Sequence, residues 1–459
     1  MDRPNVLLLY TDQHRWDALG ASGNPHVHTP NLDALAAEGA VMDGAFCNCS
    51  VCMPSRQSML SGQYPSTVGC VCNGVEMPPD VLTLHRVLKP YGYHTANLGK
   101  LHFLNHASRD HREPHPDYGF DELVVSDEPG CYDDAYVKWV EAQAPDQVWN
   151  CRCSTPPARK TDVIDKRPRG THEPYVFEGP EHLTHSAFVA DQTIRSIRAN
   201  RDRPWFAIAG FYAPHCPLNP PRRFLDMVDP AALPPPAMNE GENRLGLSDD
   251  EWRVVKAHYY ALISHVDDQV GRILAALDEM NLRERTLVIF TADHGEHLGD
   301  HGLVGKGPPD QDSCAHVPLI LSMPAAIRPQ RRSELIEHVD VAPTVLDFCG
   351  VQVPRAFQGR GFRALLDGGD YRRRTSVFIE YRQPFEPDKT WKTLRTHEMK
   401  YSISADGRER LLDLRADPDE LTNAIDHPRH ADALAAMRAE LVRRWFDVEK
   451  QYPLRTGIY

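Results

Sequence analysis

The stretch Asn5-Val6-Leu7-Leu8-Leu9-Tyr10-Thr11-Asp12-Gln13 predicts the fold of this chain. Its apolar run shows no alternation with polar residues, which is typical of a strand that is covered on both faces, as in parallel α/β sheets. Polar residues follow the strand directly. Ligands of open α/β sheets bind at the carboxyl ends of the strands, so Asp12 and Gln13 are expected to belong to a site. An Asp in this position would also suit a helix cap or a turn.

Three further predicted strands end in the same way. They are Tyr93–Gly99 before Lys100 and His102, Trp205–Phe211 before His215, and Thr286–Phe290 before Asp293 and His294. A long helical pattern over Asp249–Met280 joins the last two, which predicts a crossover unit of a parallel sheet. The four strand ends are therefore expected to share one cleft. Their Asp, Gln and His side chains offer mainly oxygen donors and one imidazole, which suits a divalent cation.

A second informative stretch is Cys52-Met53-Pro54-Ser55-Arg56. Pro54 suits the first position of a helix, and Gly62 suits its end. Cys52 would then lie at a helix N-terminus, where backbone N–H groups and Arg56 favour an anion. The alternative is a small buried Cys beside a short helix, since free Cys is among the most buried residues. A reactive group that faces an oxyanion would be favoured if the rest of the chain supplies a metal site and cationic residues that hold an anion.

The length of 459 residues predicts one large domain and a smaller unit. We expect a catalytic α/β domain over residues 1–370. Within it, the segment 105–185 loses its periodicity and is interpreted as a substrate-selecting elaboration. Residues 371–459 predict short antiparallel strands and a terminal helix, that is, an α+β subdomain. The expected fold is thus a mostly parallel sheet flanked by helices, followed by a smaller antiparallel sheet.

Composition excludes some classes of function. The 51 basic and 64 acidic residues give a formal charge of -13, which argues against nucleic acid or an anionic membrane as partner. No apolar run approaches the roughly 20 residues needed to cross a bilayer. The first residues lack the pattern of a signal peptide, so we expect a cytoplasmic protein. Its 11 cysteines are then expected to stay mostly reduced, rather than form disulfides or a zinc site from the pairs 47/49, 70/72 and 151/153.

Several motifs spread over nearly the whole chain resemble the sulfatase family, within the alkaline phosphatase superfamily. They are Pro4–Asp12, Thr29–Ala36, the Cys52 stretch with Leu60–Pro65, Gly99-Lys100-Leu101-His102, Pro214-His215-Cys216-Pro217, Asp293-His294-Gly295-Glu296 and Val339–Thr344. The resemblance implies an alkaline-phosphatase-like core, one divalent metal, and hydrolysis of a sulfate ester. The nucleophile would be hydrated formylglycine, formed by oxidation of Cys52. One of its hydroxyls would attack sulfur, and loss of the proton of the other would expel sulfate.

The resemblance also implies a role for each matching residue. Asp12, Gln13, Asp293, His294 and the modified Cys52 would hold the metal. Arg56 would steady the hydrated aldehyde, while Lys100 and Lys306 would bind sulfate oxygens. His102 would assist collapse of the hemiacetal, and His215 would donate a proton to the leaving group.

Three positions depart from the common pattern of that family. Gln13 stands where many relatives have a second Asp, His294 where many have Asn, and His316 where Arg is frequent. The first two changes remove one negative charge and add a nitrogen donor. The metal is therefore expected to be Ca²⁺ or Mn²⁺, with manganese a serious candidate.

Three functions are compatible with the sequence. The first is a sulfatase, of the arylsulfatase kind. The second is a formylglycine-dependent phosphonate monoester or phosphodiester hydrolase, although Lys100 and His102 favour the sulfatase. The third is a non-catalytic metal-binding protein. The expected partners are a small-molecule or saccharide sulfate ester and a formylglycine-generating or sulfatase-maturating enzyme, and a homo-oligomer is left open. Sugar, aryl and alkyl sulfates cannot be told apart from the sequence.

Overall fold

Two β-sheets organise the computed structural model, which describes residues 3–104, 114–129, 134–152, 172–307, 311–383 and 386–449. The larger sheet contains β1 (Asn5–Asp12), β2 (Ala40–Phe46), β3 (His94–Gly99), β4 (Glu122–Val125), β5 (Trp205–Pro214), β6 (Thr286–Ala292), β7 (Leu319–Ser322) and β8 (Gln330–Glu337). The smaller sheet contains β9 (Val377–Tyr381), β10 (Trp391–Arg395), β11 (Met399–Ser404) and β12 (Glu409–Asp413).

The helices surround these sheets. They are α1 (Pro30–Glu38), α2 (Cys52–Ser61), α3 (Pro65–Val68), α4 (Leu84–Leu88), α5 (Ala135–Gln143), α6 (Val148–Cys151), α7 (His185–Asn200), α8 (Arg222–Leu225), α9 (Asp249–Glu279), α10 (Asp312–Ala315), α11 (Val341–Cys349), α12 (Arg363–Leu366) and α13 (Ala431–Val448). In the described part of the chain, none of them is long and apolar enough to span a bilayer.

The larger sheet is mostly parallel, as predicted. Its order is β4-β3-β5-β1-β6-β7-β2-β8. The first five strands in that order are parallel to one another. Strand β7 runs antiparallel to both β6 and β2, and β2 pairs in parallel with β8. The four strands whose ends carry candidate residues, β3, β5, β1 and β6, are therefore consecutive neighbours.

Both faces of this sheet are buried, which explains the continuous apolar run of β1. Val6 and Leu8 pack in a core with residues of α11 on one face. Leu7 and Leu9 pack in a second core, with residues of α9, on the other. Burial of each such side chain stabilises the fold by about 1.5–3 kcal/mol. An alternating pattern would have left one face exposed.

The smaller sheet is antiparallel in the order β12-β11-β10-β9, and α13 packs on it through Met437 and Leu441, as the sequence predicted. Glu337, at the end of β8, joins it to the larger sheet. Its carboxylate accepts hydrogen bonds from Phe378 N on β9 and from Arg444 on α13. The division at residue 370 itself stays a prediction.

Two strands, β4 and β8, were not predicted, and the predicted start of one helix was wrong. Strand β4 has only four residues, three of them apolar, and so short a run shows no period, while β8 begins with polar residues. Helix α2 begins at Cys52, two residues before Pro54, since Ser55 N already donates to Val51 O at 3.2 Å. Part of the 105–185 segment and the C-terminal tail lie outside the described residues.

Candidate functional site

The carboxyl ends of β3, β5, β1 and β6 bring most of the candidate residues to one edge of the sheet. Asp12 is the last residue of β1, Lys100 directly follows β3, and Asp293 directly follows β6. His215 follows β5. The parallel pairing of these strands is what makes their ends neighbours. The sequence signal, polar residues just after each strand, therefore predicted correctly that these residues come together at one edge.

Helix α2 delivers Cys52 to this edge. Cys52 is the first residue of the helix, preceded by Val51 in an extended conformation. The next backbone N–H, that of Met53, donates to Asn73 Oδ1 at 3.0 Å. Asn73 precedes Gly74, and this pair is typical of a turn. Its side chain instead satisfies one of the unpaired N–H groups at the start of α2.

A donor cluster is formed by Asp12, Cys52, Asp293 and His294, whose ligand atoms all lie within 4.8 Å of one another. All four side chains are buried. Cys52 Sγ lies 3.3 Å from His294 Nε2 and 3.8 Å from Asp12 Oδ1. Two buried carboxylates this close to a common point are costly without a counter-charge.

His294 is oriented toward the centre of the donor cluster. Its Nδ1 lies 2.8 Å from the carbonyl oxygen of Gly295. A carbonyl can only accept, so Nδ1 carries the proton and Nε2 presents a lone pair. This Nε2 lies 3.6 Å from Asp293 Oδ1. Such a carbonyl contact is the usual way in which a ligating imidazole is fixed.

Gln13 holds a left-handed backbone conformation, with φ of 65°. Its N–H donates to Asp293 Oδ1 at 3.0 Å, and Tyr259 Oη donates to its carbonyl oxygen at 2.7 Å. Its side-chain Oε1 accepts from Lys306 Nζ at 3.1 Å, while Nε2 donates to Glu296. A non-glycine residue in this region is strained and is held by its surroundings, as at many functional sites.

Arg56 connects the two carboxylates of the donor cluster. Its Nε donates to Asp293 Oδ2 at 2.7 Å, and its Nη2 donates to Asp12 Oδ2 at 3.1 Å. The guanidinium is buried and lies 4.6 Å from the ring centroid of Tyr10. Both carboxylates are therefore fixed in position by one cation.

Two lysines approach the same point. Lys100 Nζ lies 2.9 Å from Asp12 Oδ2 and 4.6 Å from the ring centroid of Tyr212. Lys306 Nζ lies 2.6 Å from Cys52 Sγ. Burial alone would raise the pKa of Asp12, but the surrounding cations, Lys100 foremost, hold that pKa well below its usual range. Burial raises the pKa of the Cys52 thiol to about 11, Asp12 adds to this, and Lys306 opposes it.

The two remaining histidines differ in what fixes them. His215 Nδ1 lies 2.7 Å from the carbonyl oxygen of Cys216, which leaves Nε2 for other contacts. Burial, followed by the charge of Lys306, holds the pKa of His215 well below its ordinary value. His102 is buried with φ of 57°, and its N–H donates to Asp127 Oδ1 at 2.8 Å. Asp127 thus fixes the backbone that carries His102.

The donor cluster fits a divalent cation. Two carboxylates, one imidazole with its lone pair exposed and the residue 52 side chain surround one point, with the Gln13 amide oxygen close by. When bound, the cation would supply Lewis-acid stabilisation of negative charge on an oxyanion. Together with Lys100, Lys306 and Arg56, the arrangement can hold an anion against a nucleophile at position 52.

Other residues near the site were not singled out from the sequence. Glu296 accepts from Gln13 and from Leu298 N, and Glu128 lies near Lys100. Glu296 stands in the Asp-His-Gly-Glu motif, which could have indicated it. Glu128 follows the strand that the sequence did not reveal, and no motif marks it.

Comparisons with known proteins identify a family over most of the chain. The family model "Sulfatase" matches residues 4–351, and the model "N-sulphoglucosamine sulphohydrolase, C-terminal" matches residues 299–446. An arylsulfatase of Clostridium perfringens is 29% identical over 98% of this chain and 96% of that protein. A choline-sulfatase of Rhizobium meliloti is 27% identical over 100% of this chain and 92% of that protein.

Solved structures also share the fold. A phosphonate monoester hydrolase from Silicibacter pomeroyi superposes with a TM-score of 0.83, at 26% identity, over 97% of this chain and 95% of that one. The alkaline-phosphatase-like fold expected from the sequence is confirmed. The family model spans well over half of the sequence, and the chain therefore belongs to the sulfatase family, as an enzyme of that family.

Proposed function

We propose that this enzyme hydrolyses a sulfate monoester, with residue 52 as hydrated formylglycine and one Ca²⁺ or Mn²⁺ in the donor cluster. The observation that carries the proposal is the convergence of Lys100 and Lys306 on Asp12 and Cys52. With the cation, these lysines make three positive groups around one point. A sulfate monoester presents three nonbridging oxygens, so one positive group is available for each.

Hydrated formylglycine would supply two hydroxyl groups, one to attack sulfur and one whose deprotonation releases sulfate. Attack forms one sulfur–oxygen bond and breaks the bond to the leaving alcohol. His215 would act in its doubly protonated form, which keeps its Nδ1 proton on the carbonyl oxygen of Cys216 and gives its Nε2 proton to that alcohol. The negative charge of the bound ester would favour this form, against the burial that lowers the pKa of His215. His102 would accept the proton of the second hydroxyl. Water then restores the hydrate.

Arg56 would keep the donor cluster in place during these steps. It bonds to both Asp12 and Asp293, so their oxygens stay aligned while charge moves on the substrate. Lys306 contacts both Cys52 Sγ and Gln13 Oε1, which places its ammonium group between the nucleophile and a metal ligand. A maturating enzyme is the partner that must convert Cys52.

A phosphonate monoester or phosphodiester hydrolase is the second candidate. It is favoured by the similarity to the phosphonate monoester hydrolase of Silicibacter pomeroyi, and the pairs Asp12-Gln13 and Asp293-His294 are compatible with it. Such substrates have only two nonbridging oxygens on phosphorus. One of the three positive groups would then face a carbon or an ester oxygen, and so we place the sulfate monoester first.

A panel of esters tests the assignment. It contains nitrophenyl sulfate, a phenylphosphonate ester, a phosphodiester and a phosphate monoester. We expect the highest kcat/KM for the sulfate. A preference of more than about tenfold for the phosphonate ester or the diester, equivalent to roughly 1.4 kcal/mol, would establish the second candidate instead.

A further inference from the structure

Glu128 carries a carboxylate beside the lysines that are proposed to bind an anionic substrate. A negative charge is unusual in such a place. Glu128 Oε1 lies 3.8 Å from Lys100 Nζ, and the Glu128 side chain is 14% exposed. Its other oxygen, Oε2, is buried and, among the described residues, has no hydrogen-bond partner. A buried carboxylate oxygen without a donor costs free energy. Glu128 Oε2 can therefore accept a hydrogen bond from a donor that is not part of the site.

The backbone around Glu128 is fixed. Ser126 N donates to Gly99 O at 3.2 Å, and Asp127 Oδ1 accepts from Leu101 N at 2.7 Å. These two bonds join the segment that follows β4 to the end of β3, directly beside Lys100. Glu128 thus directly follows two residues that are hydrogen-bonded to the sheet edge, and such support suits a residue that selects substrates.

The segment that carries Glu128 borders the cavity next to His215. The next residue, Pro129, lines a cavity of about 40 Å³ together with His215 and Tyr212. His215 is the proposed proton donor to the leaving alcohol, and Tyr212 lies against Lys100. The cavity has room for a small group such as a hydroxyl. Since Glu128 lies 3.8 Å from Lys100, a substrate group that reaches Glu128 must lie close to the ester group that Lys100 would hold.

We propose that Glu128 determines substrate specificity by accepting a hydrogen bond from a hydroxyl group on the carbon next to the one that carries the ester. This inference rests on the proposed function for the position of the ester. The ammonium group of Lys100 favours the ionised carboxylate, which can only accept. Burial nevertheless raises the pKa of Glu128, because Lys100 offsets only part of the lost solvation. A substrate hydroxyl would replace part of that solvation.

The test compares matched phenyl sulfates. The pair 2-hydroxyphenyl sulfate and 2-methoxyphenyl sulfate differs in the donor hydrogen and keeps the oxygen, and the corresponding 4-substituted pair places the same groups out of reach. We expect the wild type to prefer the 2-hydroxy over the 2-methoxy ester by about tenfold in kcat/KM, as one charge-assisted hydrogen bond implies. The 4-substituted pair should show no preference.

Variants assign this preference to one side chain. In Glu128→Ala the ratio should fall to about one, and in Glu128→Gln it should take an intermediate value, because an amide oxygen still accepts. Glu122→Gln is the matched control, since Glu122 lies at the other end of β4 and pairs with Arg195. It should keep the wild-type ratio. A ratio unchanged in Glu128→Ala would overturn the inference.

Two further arms separate this inference from the proposed function. The same ratios are measured on phenylphosphonate esters of the same phenols. If only the phosphonates are hydrolysed, the proposed function is wrong, and the ratio of the 2-hydroxy to the 2-methoxy phosphonate ester then tests the role of Glu128. If neither series is hydrolysed, both the proposed function and the role of Glu128 are wrong. A Glu128-dependent preference for choline sulfate over 2-hydroxyethyl sulfate would indicate a contact with a cation and overturn the hydroxyl assignment.

Discussion

Lys306 Nζ lies 2.6 Å from Cys52 Sγ, so a fixed cation touches the side chain proposed as the precursor of the nucleophile. Lys306 lies in the loop that follows β6, and Cys52 is the first residue of α2. The fold thus brings together two residues that are 254 positions apart in the sequence. The same ammonium group reaches Gln13 Oε1. One lysine thus links the nucleophile position to the donor cluster.

The first prediction concerns the chemical state of residue 52. We expect active protein to carry an aldehyde there, because a thiol has no second hydroxyl with which to release sulfate. Peptide mass spectrometry after alkylation should show alkylated Cys47 and Cys49 and a residue 52 that reacts with a carbonyl reagent instead. Cys52→Ala should lower kcat/KM by about 10³-fold or more. Full alkylation of Cys52 in a fully active sample would refute the mechanism.

The second prediction concerns His215. An alcohol of high pKa needs a proton in the transition state, while a nitrophenolate leaves unaided. His215→Ala should therefore reduce kcat/KM by about 10²–10⁴-fold for alkyl sulfates and far less for nitrophenyl sulfate. The exposed His427 supplies a control, and His427→Ala should leave the leaving-group dependence unchanged. Equal losses across the series would assign His215 to sulfate binding.

The third prediction concerns the metal. Removal of the cation by a chelator should lower kcat/KM by roughly three orders of magnitude, because Lewis-acid stabilisation is worth several kcal/mol. With Gln13 and His294 in place, we expect Mn²⁺ to bind more tightly than Ca²⁺. The double variant Gln13→Asp, His294→Asn should shift the preference toward Ca²⁺, which prefers oxygen donors. Asp also tolerates the positive φ of position 13.

Elemental analysis after dialysis against both metals measures this preference without reference to activity. The same metal preference in the wild type and in the double variant would show that these two residues do not select the ion.

The location of the site could be predicted because it depends on a simple rule. Polar residues directly after apolar strands meet at one edge when the strands are parallel neighbours, and β3, β5, β1 and β6 are such neighbours. The pairing order itself could not be read from the strands. Strand β4 was missed for a physical reason: it has only four residues, Glu122–Val125, and so short an apolar run shows no period that distinguishes a strand from other structure. Glu128 and Asp127, which follow β4, were missed with it.

The role of Asn73 shows a second limit of the sequence. Asn73-Gly74 is a pair typical of a turn, so nothing in the sequence indicates that Asn73 accepts a hydrogen bond from Met53 N, 20 residues earlier in the chain. Long-range hydrogen bonds of this kind leave no periodic pattern. The same holds for Arg56, whose two carboxylate partners come from different strands.

The fourth prediction concerns the contact between the two sheets. Arg444 is buried and donates to Glu337 Oε1 at 2.6 Å and to Tyr64 Oη at 3.0 Å. Arg444→Ala should lower the free energy of unfolding by about 3 kcal/mol, because it leaves a buried carboxylate with fewer partners. Arg443→Ala, one residue earlier and exposed, should change it by no more than about 0.5 kcal/mol. Denaturant unfolding of both variants measures the difference, and similar losses would contradict it.

The last prediction separates the two candidate functions through Lys100. A sulfate monoester offers a third nonbridging oxygen to Lys100 Nζ, whereas a phosphonate monoester offers a carbon substituent or an ester oxygen in that direction. Lys100→Met should therefore lower kcat/KM for nitrophenyl sulfate by about 10²-fold, the usual effect of losing one donor to a developing oxyanion, and for the phosphonate ester by at least tenfold less.

Lys306→Met is the matched comparison. Because Lys306 contacts the nucleophile position itself, its loss should reduce both activities to a similar extent. Since Lys100 also pairs with Asp12, the metal content of each variant must be measured and should match the wild type. An equal effect of Lys100→Met on both esters, at full metal content, would mean that Lys100 holds Asp12 rather than the third oxygen, and the preference for sulfate would need another source.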